Sequence, residues 1–133
     1  MTDKERIAKI PKTARFWSRY LLILLLAEKV IQHVVVTVCF FYNISNIRST
    51  VAIDYNFLMI SGAIVALLFA IAFLGAVKNK TWGIILASAL AVFDIVGEFV
   101  AQGTISIAIN VSITVAIILL VLCYHEYQNF YAK

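Results

Sequence analysis

Long apolar stretches alternate with short polar connections along this chain. A helix needs roughly 20 apolar residues to cross a hydrocarbon core of about 30 Å, and four runs of about that length are present. They cover residues 17–41, 55–77, 81–101 and 105–124. The connections are too short for a second domain. The pattern therefore predicts an all-α integral membrane protein, a four-transmembrane-helix bundle in one domain over residues 1–133.

The segment ahead of the first run, residues 1–16, is basic and is predicted to lie at the membrane interface. Thr2 and Glu5 have the spacing of a capping box, which predicts a short helix that Pro11 ends. A secretory signal has a shorter apolar region followed by small residues. Here Phe40 and Phe41 close the run, so we expect it to remain as a membrane anchor.

Composition supports the membrane assignment, since 63% of the 133 residues are hydrophobic and 14% are charged. The net charge of +4 could indicate nucleic-acid binding. Five of the eleven basic residues, however, precede the first apolar run and Arg19 lies at its start, where all six suit anionic lipid headgroups. We therefore expect the lipid bilayer as a partner and no nucleic acid.

Basic residues also predict the orientation, because Lys and Arg are retained on the cytoplasmic side. The six N-terminal charges fall on one side with Lys78, Lys80 and Lys133, whereas Arg48 alone falls on the other. Aromatic residues flank the runs at both predicted interfaces. These signals predict that the N and C termini are both cytoplasmic, in a multi-pass protein of the plasma membrane.

Several other residues carry little predicted chemistry. Cys39 and Cys123 fall near opposite leaflets, too far apart for a disulfide, which needs Cα atoms within about 7 Å. The glycosylation sequon that begins at Asn43 lies almost on the membrane surface and is interpreted as a chance match. His125, beside Glu126 at the predicted cytoplasmic end, is expected to be a solvated interfacial residue.

Polar and ionisable residues are concentrated at mid-membrane depth when each helix is counted at about 1.5 Å per residue. Placing a charged residue at the centre of a membrane helix costs about 2.5–3.5 kcal/mol. Several such residues at one depth indicate an internal polar layer. Its members are Glu28, Lys29, Gln32 and His33 in the first run, Asp94 and Glu98 in the third, and Asn110 in the fourth.

Small residues indicate which helix faces point inwards. Gly83, Ala87 and Ala91 share one face of the third helix with Asp94 and Glu98. Close helix packing on that face predicts that both acids lie inside the bundle. The second and fourth helices are predicted to pack through similar stripes: Gly62, Ala66 and Ala70, and Ser106, Asn110 and Thr114.

Three functional interpretations remain open. In the first, the seven residues of the polar layer line a site that binds or translocates a proton, a cation or a small polar ligand. In the second, they are interhelical hydrogen bonds in a non-catalytic accessory or structural subunit of a larger membrane complex. In both, we expect a homo-oligomer or association with other membrane subunits. The two differ in whether the layer encloses a ligand or is filled by its own contacts.

An enzyme is the third and less favoured interpretation. His33, Asp94 and Glu98 offer one imidazole and two carboxylates, a set that suits several divalent metals. No nucleophile or oxyanion-hole motif accompanies them. The sequence identifies no cofactor.

An acidic residue after Ala27 in the first helix of so short a chain superficially resembles the small multidrug-resistance transporters, which use a membrane-embedded glutamate. The resemblance is confined to Ala27 and Glu28. The basic bias opposes the antiparallel, dual-topology dimer of that family. We therefore assign no family and transfer no functional residues.

Overall fold

The computed structural model describes residues 2, 5, 12–102 and 111–131. Over these residues the chain is helical and contains no β-strand. The elements are α1 (Lys12–Tyr42), a 3₁₀ helix (Ile44–Thr50), α2 (Tyr55–Val77), α3 (Thr81–Gln102) and α4 (Val111–Tyr131). The predicted all-α fold class is confirmed.

Three of the described helices are long and apolar enough to cross a membrane, namely Thr13–Tyr42, Tyr55–Val77 and Thr81–Ala101. Length and composition therefore indicate a membrane protein. The fourth predicted span, 105–124, is not among them. Its first part lies outside the described residues, and α4 continues past the apolar run through polar positions such as Glu126 and Asn129.

Helix boundaries follow local sequence signals. α2 begins and ends where the apolar run does, and the Asp54 carboxylate accepts the Asn56 backbone N–H at 3.1 Å before its first turn. α1 begins at Lys12, five residues before the predicted Trp17. The capping box is formed: the Thr2 N–H donates to Glu5 Oε2 at 2.8 Å, and the Glu5 N–H donates to Thr2 Oγ1 at 3.4 Å.

The helices pack in chain order, each against the next, and α4 returns against α1. Buried apolar side chains from all four helices fill the interior, including Leu26, Phe69, Ala87 and Leu119. α2 and α3 cross most closely at Gly75 and Gly83, where a Cβ added to either glycine would lie 2.6–2.7 Å from backbone atoms of the other. Small residues therefore set the approach of these two helices.

Interhelical hydrogen bonds show which termini share an end of the bundle. The Arg19 guanidinium donates to the carbonyl oxygens of Ala76 and Val77, both at 3.3 Å. This contact joins the start of α1 to the end of α2, beside the exposed Lys78 and Lys80. At the opposite end, the Ala52 N–H donates to the Ala101 carbonyl at 2.9 Å. We call these the basic end and the Arg48 end.

Candidate intramembrane ion-pair site

Lys29 of α1 lies in the bundle interior and is fully buried, with an exposed fraction of 0%. Its Nζ lies 2.8 Å from Asp94 Oδ2 of α3. It also donates to Gln32 Oε1 at 3.0 Å, and to the Ser112 carbonyl and Oγ of α4 at 3.0 and 3.1 Å. Four oxygens from three helices therefore surround one ammonium group.

Asp94 divides its carboxylate between two nitrogens of α1. Oδ2 faces Lys29, and Oδ1 lies 2.9 Å from His33 Nε2. Both contacts are as short as charge-assisted hydrogen bonds, but the atoms approach off the usual hydrogen-bond directions, so we describe them as ion-pair contacts. Asp94 is 7% exposed. It faces the interior, as its position beside Gly83, Ala87 and Ala91 predicts.

His33 is the more accessible of Asp94's two partners. Its side chain is 18% exposed, compared with 0% for Lys29. The imidazole stacks on Phe69 of α2, with ring centroids 5.5 Å apart and planes 21° from parallel. Phe69 thus orients the ring that reaches Asp94, and the site receives contributions from all four long helices.

Burial makes the charges of this site interdependent. Desolvating two ions costs several kcal/mol each, which is offset only by close pairing and further hydrogen bonds. Here Lys29 has both. Removing one partner of such a pair typically costs about 3–5 kcal/mol, because the other charge remains buried. Loss of Lys29 or Asp94 alone is therefore expected to destabilise the bundle.

The structure brings together only part of the predicted polar layer. Lys29, Gln32, His33 and Asp94 meet directly. Glu28 precedes Lys29 in α1, and its Oε2 is shielded from solvent without a hydrogen-bond partner among the described residues. Two predicted site residues are outside this cluster: Glu98 is half-buried one turn beyond Asp94, and Asn110 lies outside the described residues.

The predicted metal set of His33, Asp94 and Glu98 does not form a recognisable centre. Over residues 12–102 and 111–131, no three His, Cys, Asp or Glu side chains are grouped so as to hold a metal ion. Both Asp94 oxygens are already engaged by nitrogen atoms.

Sequence analysis missed Ser112 and Phe69. The predicted polar stripe of α4 passed through Thr114, which is exposed, whereas Ser112 is buried against Lys29. A serine in an apolar helix is a weak signal, because its hydroxyl can bond to its own helix backbone. Phe69 gives no signal either, since a buried aromatic side chain is ordinary core.

A second polar cluster lies at the basic end, between α1 and α4. Ser18 Oγ is 3.2 Å from His125 Nδ1, and Asn129 Nδ2 is 3.4 Å from the same nitrogen and from Glu126 Oε1. Glu126 and Asn129 are 6% and 7% exposed. His125 was expected to be a solvated interfacial residue; it is partly buried, and Ser18 of α1 lies within hydrogen-bond distance of its ring.

The Arg48 end is closed by a single cation. The Arg48 guanidinium donates to the carbonyl oxygens of Phe40 and Phe41 at 2.9 and 2.8 Å and lies 4.2 Å from the ring centroid of Tyr55. It satisfies the last carbonyls of α1. Asn43 of the sequon accepts the Arg48 backbone N–H at 3.1 Å, so its amide is part of this turn. Cys39 and Cys123 are free thiols.

Comparison with protein families, with characterised proteins and with solved structures found no match to this chain.

Proposed function

We propose that this chain is a small membrane protein of four spanning helices in which Lys29, His33 and Asp94 hold an exchangeable proton or cation. The observation that carries the proposal is the divided carboxylate of Asp94. One oxygen faces a fully buried ammonium and the other faces a partly accessible imidazole. Intramembrane ionisable residues of this kind commonly belong to ion or proton pathways.

His33 supports a role in proton exchange. Imidazole gains and loses a proton near neutral pH, so it can deliver one to a neighbouring carboxylate or remove it. In the described contact, Nε2 faces Asp94 Oδ1, which leaves Nδ1 as the second proton-exchanging atom of the ring. A proton on His33 adds a second positive charge next to Asp94. The Asp94 carboxylate then depends less on Lys29 for charge neutralisation.

A non-catalytic accessory or structural subunit is the second candidate. It is favoured by the closed surroundings of Lys29, whose ammonium has more oxygen acceptors than N–H donors. A site whose side chains bond to one another holds the helices in fixed relative positions. In that role the chain would associate with other membrane subunits, or with copies of itself, through its exposed apolar faces.

Proton exchange through reconstituted vesicles separates these functions. Vesicles loaded with a pH-sensitive dye should report proton entry when the wild-type chain is present and a potassium-diffusion potential is applied. Asp94→Asn preserves the side-chain shape and should abolish the entry in variant protein that retains the helical circular-dichroism spectrum of the wild type. Arg48→Gln, at the far end of the bundle, is the matched control and should leave it unchanged. Proton entry that persists in Asp94→Asn would refute the site.

The proposed orientation places both termini on the cytoplasmic side, in the plasma membrane. Arg15, Arg19, Lys78 and Lys80 lie at the basic end, opposite Arg48, which supports this assignment. A cysteine introduced at the exposed Ser45, in a chain with both native cysteines replaced by serine, should react with an impermeant maleimide added outside intact cells. A cysteine at Lys78 should react only after permeabilisation. The reverse pattern contradicts the topology.

A further inference from the structure

The oxygens around Lys29 have the composition of a cation-binding shell. They are a carboxylate oxygen of Asp94, an amide oxygen of Gln32, and a carbonyl and a hydroxyl oxygen of Ser112. Proteins hold hard cations with these oxygen types. A lysine ammonium has three N–H donors, one fewer than the oxygens that face it. The oxygens around Lys29 Nζ therefore resemble the ligands of a protein-bound metal cation.

The dimensions of the shell select the class of cation. Its oxygens lie 2.8–3.1 Å from Nζ. Magnesium and calcium bind oxygen at about 2.0–2.6 Å. In a shell of these dimensions they would not contact all four oxygens at once. The observed distances match N–H···O hydrogen bonds. The shell thus fits a monovalent cation of ammonium size.

Charge also favours a cation. Glu28 adds a carboxylate next to Lys29 in the sequence, and its hidden Oε2 has no hydrogen-bond partner within the described part of the chain. Lys29 is one basic residue, whereas Asp94 and Glu28 are two acidic ones. An unbalanced charge is expensive in a membrane interior. A positively charged ligand is therefore favoured over a neutral or anionic one at this shell.

We propose that this shell binds a monovalent cation of ammonium size, such as a primary alkylammonium group or potassium, in exchange for the Lys29 ammonium. The inference rests on the proposed function and names the ligand class of the same site. Lys29 is a tethered occupant on a flexible four-carbon stem. Ligand binding requires the Lys29 side chain to leave the shell, so that Asp94 and Ser112 contact the ligand instead.

Chemical complementation of an emptied shell tests whether its oxygens accept a free cation. Lys29→Ala removes three methylene groups and the ammonium, which n-propylammonium replaces atom for atom. The purified full-length variant should unfold at a lower temperature than wild type, and n-propylammonium or potassium chloride should raise that temperature in a saturable manner. Tetramethylammonium has the same charge, but its methyl groups keep the nitrogen farther from the oxygens than the 2.8–3.1 Å of the shell, so it should have no effect. An equal response to tetramethylammonium would overturn the proposal.

Two variants show whether the response belongs to this shell. Lys78→Ala removes an exposed lysine and keeps Lys29 in the shell, so it should respond only at higher n-propylammonium concentrations than Lys29→Ala, because the ligand must displace Lys29. Lys29→Ala combined with Asp94→Asn should require at least about tenfold more n-propylammonium, because the charge-assisted contact is lost. If Lys29→Ala does not fold, Lys29→Met fills the stem volume and should respond to potassium. Absence of any response in the variant that folds refutes the inference.

The outcome is independent of the proton-exchange measurement. Vesicles whose proton entry depends on Asp94, together with an unresponsive Lys29→Ala protein, would reject only the cation inference. A saturable response of Lys29→Ala without proton entry in wild-type vesicles would reject proton movement and retain a cation-binding site.

Discussion

Substitution of Gly83 by alanine tests the helix crossing that positions α3, and with it Asp94. A Cβ on Gly83 would lie 2.6 Å from the Gly75 carbonyl carbon and 2.7 Å from the Ala76 nitrogen. Ordinary contacts between carbon atoms are about 3.5–4.0 Å, so the new atom falls short by about 1 Å. Both obstructing atoms are backbone, so the strain is relieved only when α2 and α3 move apart.

The expected magnitude combines two opposing terms. Alanine in place of glycine inside a helix stabilises by roughly 0.5–1 kcal/mol. Overpacking a close contact costs typically about 1–3 kcal/mol, and rigid backbone neighbours place Gly83→Ala at the upper part of that range. The net effect should be a loss of about 1–2 kcal/mol.

Gly97 of the same helix is the matched control, because a Cβ there would meet nothing within 4 Å. Gly97→Ala should therefore stabilise the protein by the propensity term alone. The difference between the two variants isolates the steric cost, about 1–3 kcal/mol. Reversible unfolding of the reconstituted chain in mixed micelles, with increasing dodecyl sulfate, measures both free energies.

A second substitution at the crossing tests whether the helices really separate. Gly75→Ala should be destabilising by itself, since its Cβ would lie 2.7 Å from Gly83 Cα and 2.8 Å from the Trp82 ring. Once Gly83→Ala has moved the helices apart, Gly75→Ala should cost less, so the double variant should be more stable than the sum predicts. Equal stability of Gly83→Ala and Gly97→Ala would refute the crossing geometry.

Two further predictions concern single contacts, both measured as free energies of unfolding. Ser112→Ala should lower the free energy of unfolding by about 1 kcal/mol, because Lys29 loses one acceptor and keeps the others. Ser61→Ala is the control and should have almost no effect, because the Ser61 hydroxyl bonds within its own helix. Equal losses in the two variants would contradict the assignment of Ser112. Arg48→Gln should cost about 1–2 kcal/mol through lost charge-assisted carbonyl contacts and cation–π stacking. A cycle with Tyr55→Leu should be non-additive, whereas full additivity would exclude that stacking.

Local sequence was sufficient to predict the second and third helices and the direction of Asp94. The run from Tyr55 to Val77 is uniformly apolar and bounded by Asp54 and Lys78, so its boundaries follow from composition and capping alone. Asp94 shares a face with Gly83, Ala87 and Ala91 because all lie on one helix with a fixed period. Such relations stay within one element, and the structure agrees with them.

The pairing within the site could not be predicted from any short stretch of sequence, because Lys29 and Asp94 are far apart in the chain. Whether Lys29 meets Asp94 or another acid depends on the relative height and rotation of α1 and α3, which reach each other across the bundle. Close packing over whole helix faces determines that rotation. The approach of Gly75 to Gly83 is one of the contacts involved. The Oε2 atom of Glu28, one residue from Lys29, has no hydrogen-bond partner among the described residues.

The choice of Ser112 over Thr114 shows the same dependence. Both are hydroxyl residues in the same turns of α4, and periodicity alone could place either of them inside. The rotation of α4 against α1 and α3 buries Ser112 and exposes Thr114, and so decides which oxygens surround Lys29. The sequence by itself determined that ionisable groups lie in apolar helices. Only the tertiary structure decided their pairing, because pairing depends on packing between segments distant in the chain.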